Sequence, residues 1–124
     1  MQVGIDIVEV SRIQAAHERY GEHFLNKILT EAEIILCMKK SRPYESIAAR
    51  FASKEAISKA LGTGISKHLG WHSMEILNDE LGKPVVTLKE EIPGVDARQI
   101  ALSLSHTHNY AVAVALINPN QTSE

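Results

Sequence analysis

The chain has 124 residues, a formal net charge of −2, 44% hydrophobic residues and 23% charged residues. This length and composition are ordinary for one globular domain that is large enough to bury a core. The nearly balanced charge excludes the global basic character of many nucleic-acid-binding or membrane-surface proteins, so a charged partner must be recognised locally.

Three further features concern the compartment. The single cysteine, Cys37, excludes an intramolecular disulfide and fits a reducing environment. No stretch reaches the roughly 18 apolar residues of a membrane span, and the first residues lack the basic segment and apolar core of a signal peptide. We therefore expect a cytoplasmic protein that binds neither a membrane nor nucleic acid.

The first predicted element is a β-strand over residues 1–8, which is rich in valine and isoleucine. Val3, Ile5 and Ile7 fall on one face of this strand, and Asp6 falls on the other. Aspartate is uncommon inside strands. Either Asp6 faces water at a sheet edge or it is held there for a ligand, and the strand pattern leaves both interpretations open.

Three helices follow in the prediction. Residues 11–20 form a short amphipathic helix with Ser11 as N-cap, and residues 30–40 form a second helix whose first turn carries a threonine and acids. A long third helix covers residues 44–61. It begins after Pro43 and ends at Gly62, which are the residues that suit helix starts and ends.

The second half of the chain is predicted to form β-strands. The predicted strands cover residues 71–78, 84–88, 99–106 and 110–117. Because helices cluster early and antiparallel strands late, we expect an α+β fold with helices packed on a small antiparallel sheet. One domain is expected over residues 1–117, followed by a polar C-terminal tail over residues 118–124.

Two residues of the long helix, Glu55 and Lys59, allow two interpretations. They share a face with Ala52 by helical spacing. In the first interpretation they form an ordinary solvated i,i+4 ion pair. In the second, the carboxylate holds a hard cation and the ammonium contacts a phosphate. Gly62 and Gly64 favour the second, because glycines let the backbone turn with positive φ and approach a bulky anion closely.

A polar pair, Ser105 and His106, ends a predicted strand, which is a place where ligand-facing groups occur. His106 and His108 fall on one side if the strand continues, as in a two-histidine zinc site, but no third histidine or cysteine lies at ligand spacing. A Ser-His-Asp hydrolase is disfavoured, because Ser105 lacks a nucleophile-elbow pattern and adjacent strand residues face opposite ways.

The acids Asp6 and Glu55, together with Lys59 and the glycines, favour a different chemistry. Mg²⁺ prefers a few carboxylates with open positions, because it keeps water and takes its remaining ligands from substrate phosphates. The residues therefore indicate a magnesium–pyrophosphate site.

Five blocks of the sequence together resemble the motifs of a known protein family. They are Gly4–Val10 with Arg12-Ile13, Ile28–Thr30 with Glu33, Arg50–Ala56 with Lys59-Ala60 and Gly62–Gly64, Gly82–Pro84, and Ser103–Thr107. In this order and over nearly the whole chain, they resemble the holo-acyl-carrier-protein synthases, the small type of 4′-phosphopantetheinyl transferase.

The resemblance implies a Mg²⁺-dependent transferase for fatty-acid biosynthesis. It would move the 4′-phosphopantetheine arm of coenzyme A onto a serine of apo acyl carrier protein and release adenosine 3′,5′-bisphosphate. Members of the family are typically homotrimers whose sites are shared between adjacent subunits. Strands that are apolar on both faces, such as residues 110–115, permit such an assembly.

The resemblance also implies roles for single residues. Asp6 and Glu55 would hold Mg²⁺, Lys59 would stabilise the leaving phosphate, and Glu55 would help to remove the serine proton. Arg12 and Arg19 would dock the acidic carrier. The positions that resemble coenzyme A contacts are Arg50, Lys54, Gly62, Gly64, Ser105 and His106.

Two other classes of function remain open at this point. One is a relative that binds coenzyme A or a carrier without transfer, and the other is a general metal-dependent phosphotransferase or nucleotide-binding protein. Asp6, Glu55 and Lys59 are all present, which favours the transferase over the silent relative.

Overall fold

The computed structural model describes residues 1–66 and 69–118. Most of the predicted tail, residues 119–124, lies outside the described residues. The α+β prediction is confirmed. In chain order the elements are β1 (Gln2–Glu9), α1 (Val10–Tyr20), α2 (Glu22–Ile28), α3 (Glu31–Met38), α4 (Pro43–Leu61), β2 (Met74–Asn78), β3 (Pro84–Leu88), β4 (Ile100–His106) and β5 (Tyr110–Ile117).

The three-stranded antiparallel sheet has β5 at its centre, between β1 and β4, while β2 and β3 form a separate hairpin. α4 lies across one face of the larger sheet, against β1 and β5. Small side chains make this close packing possible, because Ala111, Ala113 and Ala115 of β5 and Ala52 and Ala56 of α4 are all buried. Strand register therefore decides which residues of β1 and β4 face the helix.

At Gly4, the backbone of β1 approaches the backbone of α4 very closely. A Cβ atom at this position would lie 2.0 Å from the carbonyl oxygen of Ala56 and 2.6 Å from the amide nitrogen of Ala60. Both are backbone atoms, so neither can turn away as a side chain could. Gly4 is thus required for the packing that brings β1 onto the helix.

We expect Gly4→Ala to lower the free energy of unfolding by about 3 kcal/mol or more, because an overpacked core must shift its backbone. Chemical denaturation measures this loss. Gly70→Ala is the matched control, since a Cβ atom there would have its nearest neighbour at 3.9 Å. Equal stability of the two variants would contradict the close-packing argument.

The helical region differs from the prediction in two places. α1 begins at Val10 with Glu9 as N-cap, so Ser11 lies inside the helix and the predicted Ser11 cap is wrong. The helix α2 was not predicted. Gly21, with φ of 62°, ends α1 and lets the chain begin the next helix, and the short length of α2 gives a weak periodic signal.

The other two predicted helices lie close to their predicted ranges, whereas one strand begins later than predicted. Thr30 caps α3 in a capping box with Glu33, and α4 begins at Pro43 and ends at Gly62, whose φ is 81°. The strand predicted from residue 71 begins only at Met74, after a 3₁₀ turn over Trp71–Ser73. Among the described helices, none combines the length and apolar character that crossing a membrane requires.

The other face of the three-stranded sheet carries apolar side chains that none of the described elements covers. Val3, Ile5 and Ile7 of β1 are 63%, 59% and 64% exposed. Their cross-strand partners on β5 are also apolar: Leu116, Val114 and Val112. A continuous exposed apolar face of this kind is typical of an interaction surface.

Candidate active site

Asp6, Glu55 and Lys59 come together where β1 crosses α4. Asp6 pairs with Ala113 in the sheet, and Ala113 faces α4, so the register turns the Asp6 side chain toward the helix. Lys59 Nζ donates hydrogen bonds to Asp6 Oδ1 at 2.9 Å and to the carbonyl oxygen of Ile5 at 3.2 Å. The ion pair of Lys59 therefore joins the helix to the strand, instead of the solvated pair with Glu55 that helical spacing allowed.

The electrostatics of Glu55 show that the two carboxylates are close enough to interact. Partial burial raises the pKa of Glu55, and the negative charge of Asp6 raises it further, while Lys59 acts in the opposite direction. The half-buried Glu55 is thus easier to protonate than an ordinary glutamate. Such a perturbed carboxylate beside a second one is typical of functional sites.

This pair suits a magnesium ion better than zinc. Mg²⁺ takes one or two protein carboxylates and fills its sphere with water and phosphate oxygens, which two acids at a partly open surface permit. Among the described residues, no group of three histidine, cysteine, aspartate or glutamate side chains is placed to bind a metal.

The turn after α4 lies next to Lys59. Gly62 and Gly64 both have positive φ, 81° and 66°, and, apart from the adjacent residues, no atom of the described part of the chain lies within 4 Å of where a Cβ would sit on either glycine. Their amides donate to the carbonyl oxygens of Lys59 and Ser58. Within the described residues, the glycines therefore leave open space beside Lys59, while these amide groups cap the helix.

A second feature is a cleft of about 410 Å³ on the side of α4 near its N-terminal half. Arg50 and His106, both predicted site residues, line it. Sequence reasoning missed the other polar lining residues: Lys40, Ser41, Arg42, Glu45, Ser46 and Asn78. These residues carry no distinctive sequence signal, because a lone charge near a helix start resembles an ordinary end-of-helix residue. The nearest signal for them was the neighbouring Gly82-Lys83-Pro84 block.

Arg50 is the most informative residue of the cleft. It is only 4% exposed, yet the acceptors found for it among the described residues are all uncharged. Its Nε donates to the carbonyl oxygen of Ile76 at 3.2 Å, and its Nη1 donates to Ser46 Oγ at 3.0 Å. A buried cation without a bound anion is costly, so the cleft is suited to an anionic ligand.

Glu45, which also lines the cleft, contacts two histidines and an arginine. Its carboxylate lies 3.0 Å from His106 Nδ1, 3.3 Å from His108 Nδ1 and 3.4 Å from Arg42 Nη1. His106 pairs with the buried Ala111 in the sheet and so faces α4. The carboxylate therefore holds one ring nitrogen of His106 and leaves Nε2 for another partner.

The structure does not place Lys54 at either feature. Lys54 is fully buried, and Nζ donates to Glu33 Oε1 at 2.7 Å and to the carbonyl oxygens of Ile28 and Trp71 at 2.8 and 2.7 Å. Burial lowers the pKa of Lys54, whereas Glu33 acts in the opposite direction. All three ammonium hydrogens have internal acceptors, so this placement does not support the predicted contact with coenzyme A.

The remaining predicted residues lie on separate surfaces. Ser105 is exposed and pairs with Val112, so it points to the uncovered face of the sheet, away from His106. Arg12 and Arg19 are exposed on α1, and the Arg19 guanidinium lies 5.3 Å from the centre of the Tyr20 ring. None of the three lines the cleft.

The cleft and the carboxylate pair lie on different sides of α4. Arg50 and Glu55 are five residues apart, which corresponds to about 140° around the helix and about 7.5 Å along it. The residues that line the cleft do not include Asp6, Glu55 or Lys59. A single chain therefore carries two separate polar sites, the cleft and the carboxylate pair.

Comparisons with known proteins show which family the sequence resembles. Residues 2–115 match the model of the 4′-phosphopantetheinyl transferase superfamily. The holo-[acyl-carrier-protein] synthase of Chloroherpeton thalassium is 60% identical over 98% of this chain and 100% of its own length. The synthase of Chlorobaculum parvum is 55% identical over 96% and 99%.

Solved structures show the same fold. The holo-[acyl-carrier-protein] synthase of Helicobacter pylori, in complex with coenzyme A, has a TM-score of 0.81 and 35% identity over 94% of this chain and 99% of that one. The synthase of Bacillus anthracis, in complex with CoA (3′,5′-ADP), has a TM-score of 0.81 and 36% identity over 97% and 96%.

Proposed function

Since the chain belongs to the 4′-phosphopantetheinyl transferase superfamily, among the holo-acyl-carrier-protein synthases, we propose that it transfers the 4′-phosphopantetheine arm of coenzyme A to a serine of apo acyl carrier protein. The observation that carries this proposal is the meeting of Asp6, Glu55 and Lys59 beside an open glycine turn. Two acids and a cation beside open space suit a metal-bound pyrophosphate.

In the proposed reaction, the serine oxygen forms a bond to the β-phosphorus of coenzyme A. The bond from that phosphorus to the oxygen of the leaving adenosine 3′,5′-bisphosphate breaks. Asp6 and Glu55 would hold Mg²⁺, which when bound neutralises charge on the pyrophosphate. Glu55 would help to remove the serine proton, directly or through water. Lys59 stabilises the negative charge on the leaving phosphate.

The cleft beside Arg50 would bind phosphates of coenzyme A. The buried guanidinium has only uncharged partners among the described residues, and Lys40, Arg42 and His106 add further donors around the same space. Gly62 and Gly64 would let the pyrophosphate approach Lys59. Lys54, in contrast, would act from the interior by holding α4 in place.

We also propose that the active site is completed between subunits of a homotrimer. The cleft and the carboxylate pair face different sides of α4, so one coenzyme A would be held by the cleft of one subunit and the carboxylates of the next. Ser105 would contribute across the same junction. The uncovered face of the sheet, with Val3, Ile5 and Ile7, is the apolar surface that such an assembly would bury.

The assembly predicts that Ile5→Glu dissociates the oligomer and lowers transferase activity in parallel. A buried unpaired carboxylate is strongly unfavourable at an interface, whereas the same side chain at an exposed strand face of a monomer costs little. Light scattering after size-exclusion chromatography measures the mass. Val85→Glu, on an exposed position of β3, is the control; a single-subunit mass for the unmodified chain would contradict the proposal.

The carrier would dock on α1, where Arg12 and Arg19 are exposed. Their charges suit an acidic helix, and the interaction should weaken as ionic strength rises. We further propose that the reaction serves fatty-acid biosynthesis. A cytoplasmic location is supported by Cys37, a buried free thiol of the kind that persists in a reducing compartment.

The decisive experiment is the intact mass of an apo acyl carrier protein after incubation with this chain, coenzyme A and Mg²⁺. A gain of about 340 Da, the mass of a phosphopantetheine arm transferred with its phosphoryl group, is expected, and EDTA should abolish it. No gain with several apo carriers would overturn the transferase in favour of a coenzyme A-binding relative. ATP bound as tightly as coenzyme A would favour a general nucleotide-binding protein.

A further inference from the structure

One amide side chain links the buried arginine of the cleft to the hairpin beside it. Asn78, the last residue of β2, accepts a hydrogen bond from Arg50 Nη2 through its Oδ1 atom. Its Nδ2 donates to the carbonyl oxygen of Gly82 at 2.9 Å. Both Asn78 and Gly82 line the cleft. The amide thus uses its acceptor on the guanidinium and its donor on the turn.

The turn that Asn78 contacts is itself held tightly. Asp79 Oδ1 accepts hydrogen bonds from the amides of Leu81 and Lys83, both at 2.9 Å. The amides of Gly82 and Asp79 donate to the carbonyl oxygens of Asp79 and Lys83 at 3.0 and 2.9 Å. Asn78 therefore ties Arg50 to a wall that is already ordered.

The chemistry of this link matters because it is neutral. Ile76 and Ser46 accept from Nε and Nη1 of Arg50, and Asn78 accepts from Nη2, so Asn78 is the contact that fixes the planar guanidinium on the side of the hairpin turn. An amide oxygen fixes the guanidinium without cancelling its charge. A carboxylate at this position would pair with Arg50 and remove the attraction for an anionic ligand.

We propose that Asn78 is a positioning residue, which aims the Arg50 guanidinium and the Gly82 wall at a phosphate group of the nucleotide end of coenzyme A while leaving the positive charge available. This inference rests on the proposed function. It assigns to Asn78 an effect on substrate binding and none on the chemical step, because Asn78 belongs to the cleft and not to the Asp6–Glu55 pair.

The test compares Asn78→Asp with Asn78→Ala. Asn78→Asp keeps an acceptor for Arg50 but adds a charge and loses the donor to Gly82, so we expect the KM for coenzyme A to rise about tenfold or more. Asn78→Ala loses only the link, and a rise of about threefold to fivefold is expected. In both variants kcat should stay within about twofold.

Direct binding provides a second readout that does not depend on catalysis. Titration calorimetry with adenosine 3′,5′-bisphosphate should show the same order of affinities, with the wild type tightest and Asn78→Asp weakest. The extra loss in Asn78→Asp should shrink at high salt, which a merely structural defect would not do. Thr87→Asp is the matched control, because it adds the same charge at an exposed position of the same hairpin.

The proposal is overturned if Asn78→Asp binds the bisphosphate within twofold of the wild type, if its loss is matched by Thr87→Asp, or if kcat falls while KM stays constant. Equal unfolding midpoints for the variants exclude loss of the fold as the cause. Failure of the unmodified chain to modify any carrier would contradict the proposed function, whereas binding of the bisphosphate to the Asn78 variants still tests the role of Asn78.

Discussion

Glu55→Gln is expected to lower kcat/KM for carrier modification by at least about a hundredfold. The substitution keeps the size of the side chain but removes both a carboxylate ligand for the metal and the acceptor of the serine proton. Loss of Mg²⁺-dependent coenzyme A binding should accompany the loss of activity, and titration calorimetry in the presence and absence of Mg²⁺ measures it.

The control for this experiment is Glu31→Gln, which removes an exposed carboxylate from the first turn of α3. It should leave both rate and binding unchanged. Asp6→Asn should resemble Glu55→Gln, and the double variant should be little worse than either, because the two acids act on one site. A Glu55→Gln protein with near-normal transfer would remove Glu55 from the assigned roles.

Although Glu55→Gln is expected to lower activity, we expect it to raise the stability of the fold at neutral pH. Because burial and Asp6 raise the pKa of Glu55 above its ordinary value of 4.5, the folded chain binds this proton more readily than the unfolded chain. Ionising Glu55 therefore costs stability as pH rises from the ordinary pKa through the raised one. Glu55→Gln should abolish that decline, so its unfolding midpoint should exceed that of the wild type at neutral pH.

Lys54→Met is expected to destabilise the fold by about 3–5 kcal/mol, because it leaves the buried carboxylate of Glu33 without its cation. Glu33 has no exposed surface and also accepts from the backbone amides of Thr30 and Ile76. The loss of Lys54 also removes the donor to two carbonyl oxygens, those of Ile28 and Trp71. Chemical denaturation gives the change in the free energy of unfolding.

Lys59→Met provides the matched control on the same helix. Its ion pair with Asp6 is half exposed, so its loss should cost at most about 1 kcal/mol of stability while it impairs transfer. Adding Glu33→Gln to Lys54→Met should recover part of the lost stability, since the uncompensated charge is then removed. A stable Lys54→Met protein with a raised KM for coenzyme A would instead restore the predicted ligand contact.

The resemblance that the sequence carried is confirmed by the family match over residues 2–115, and so is the class of enzyme. Local patterns also predicted α4 over residues 44–61, one residue from its observed start at Pro43, and the strands of the sheet. These features depend on residue spacing, turn chemistry and short-range preferences, all of which neighbouring residues determine. The α2 helix was not predicted, because seven residues give too weak a periodic pattern.

Tertiary structure alone decided where the charged side chains point and what they meet. Helical spacing placed Lys59 beside Glu55, but the approach of β1 at Gly4 gave it Asp6 as its ion-pair partner. Lys54 follows Ser53 and precedes Glu55 in one motif, yet it points into the interior because α3 and the Trp71 turn cover that side. The sequence by itself determined the elements, the residue types of the site and the family. Which element covers each face of a helix or strand depends on contacts between residues far apart in the chain. The spacing of neighbouring residues does not determine those contacts.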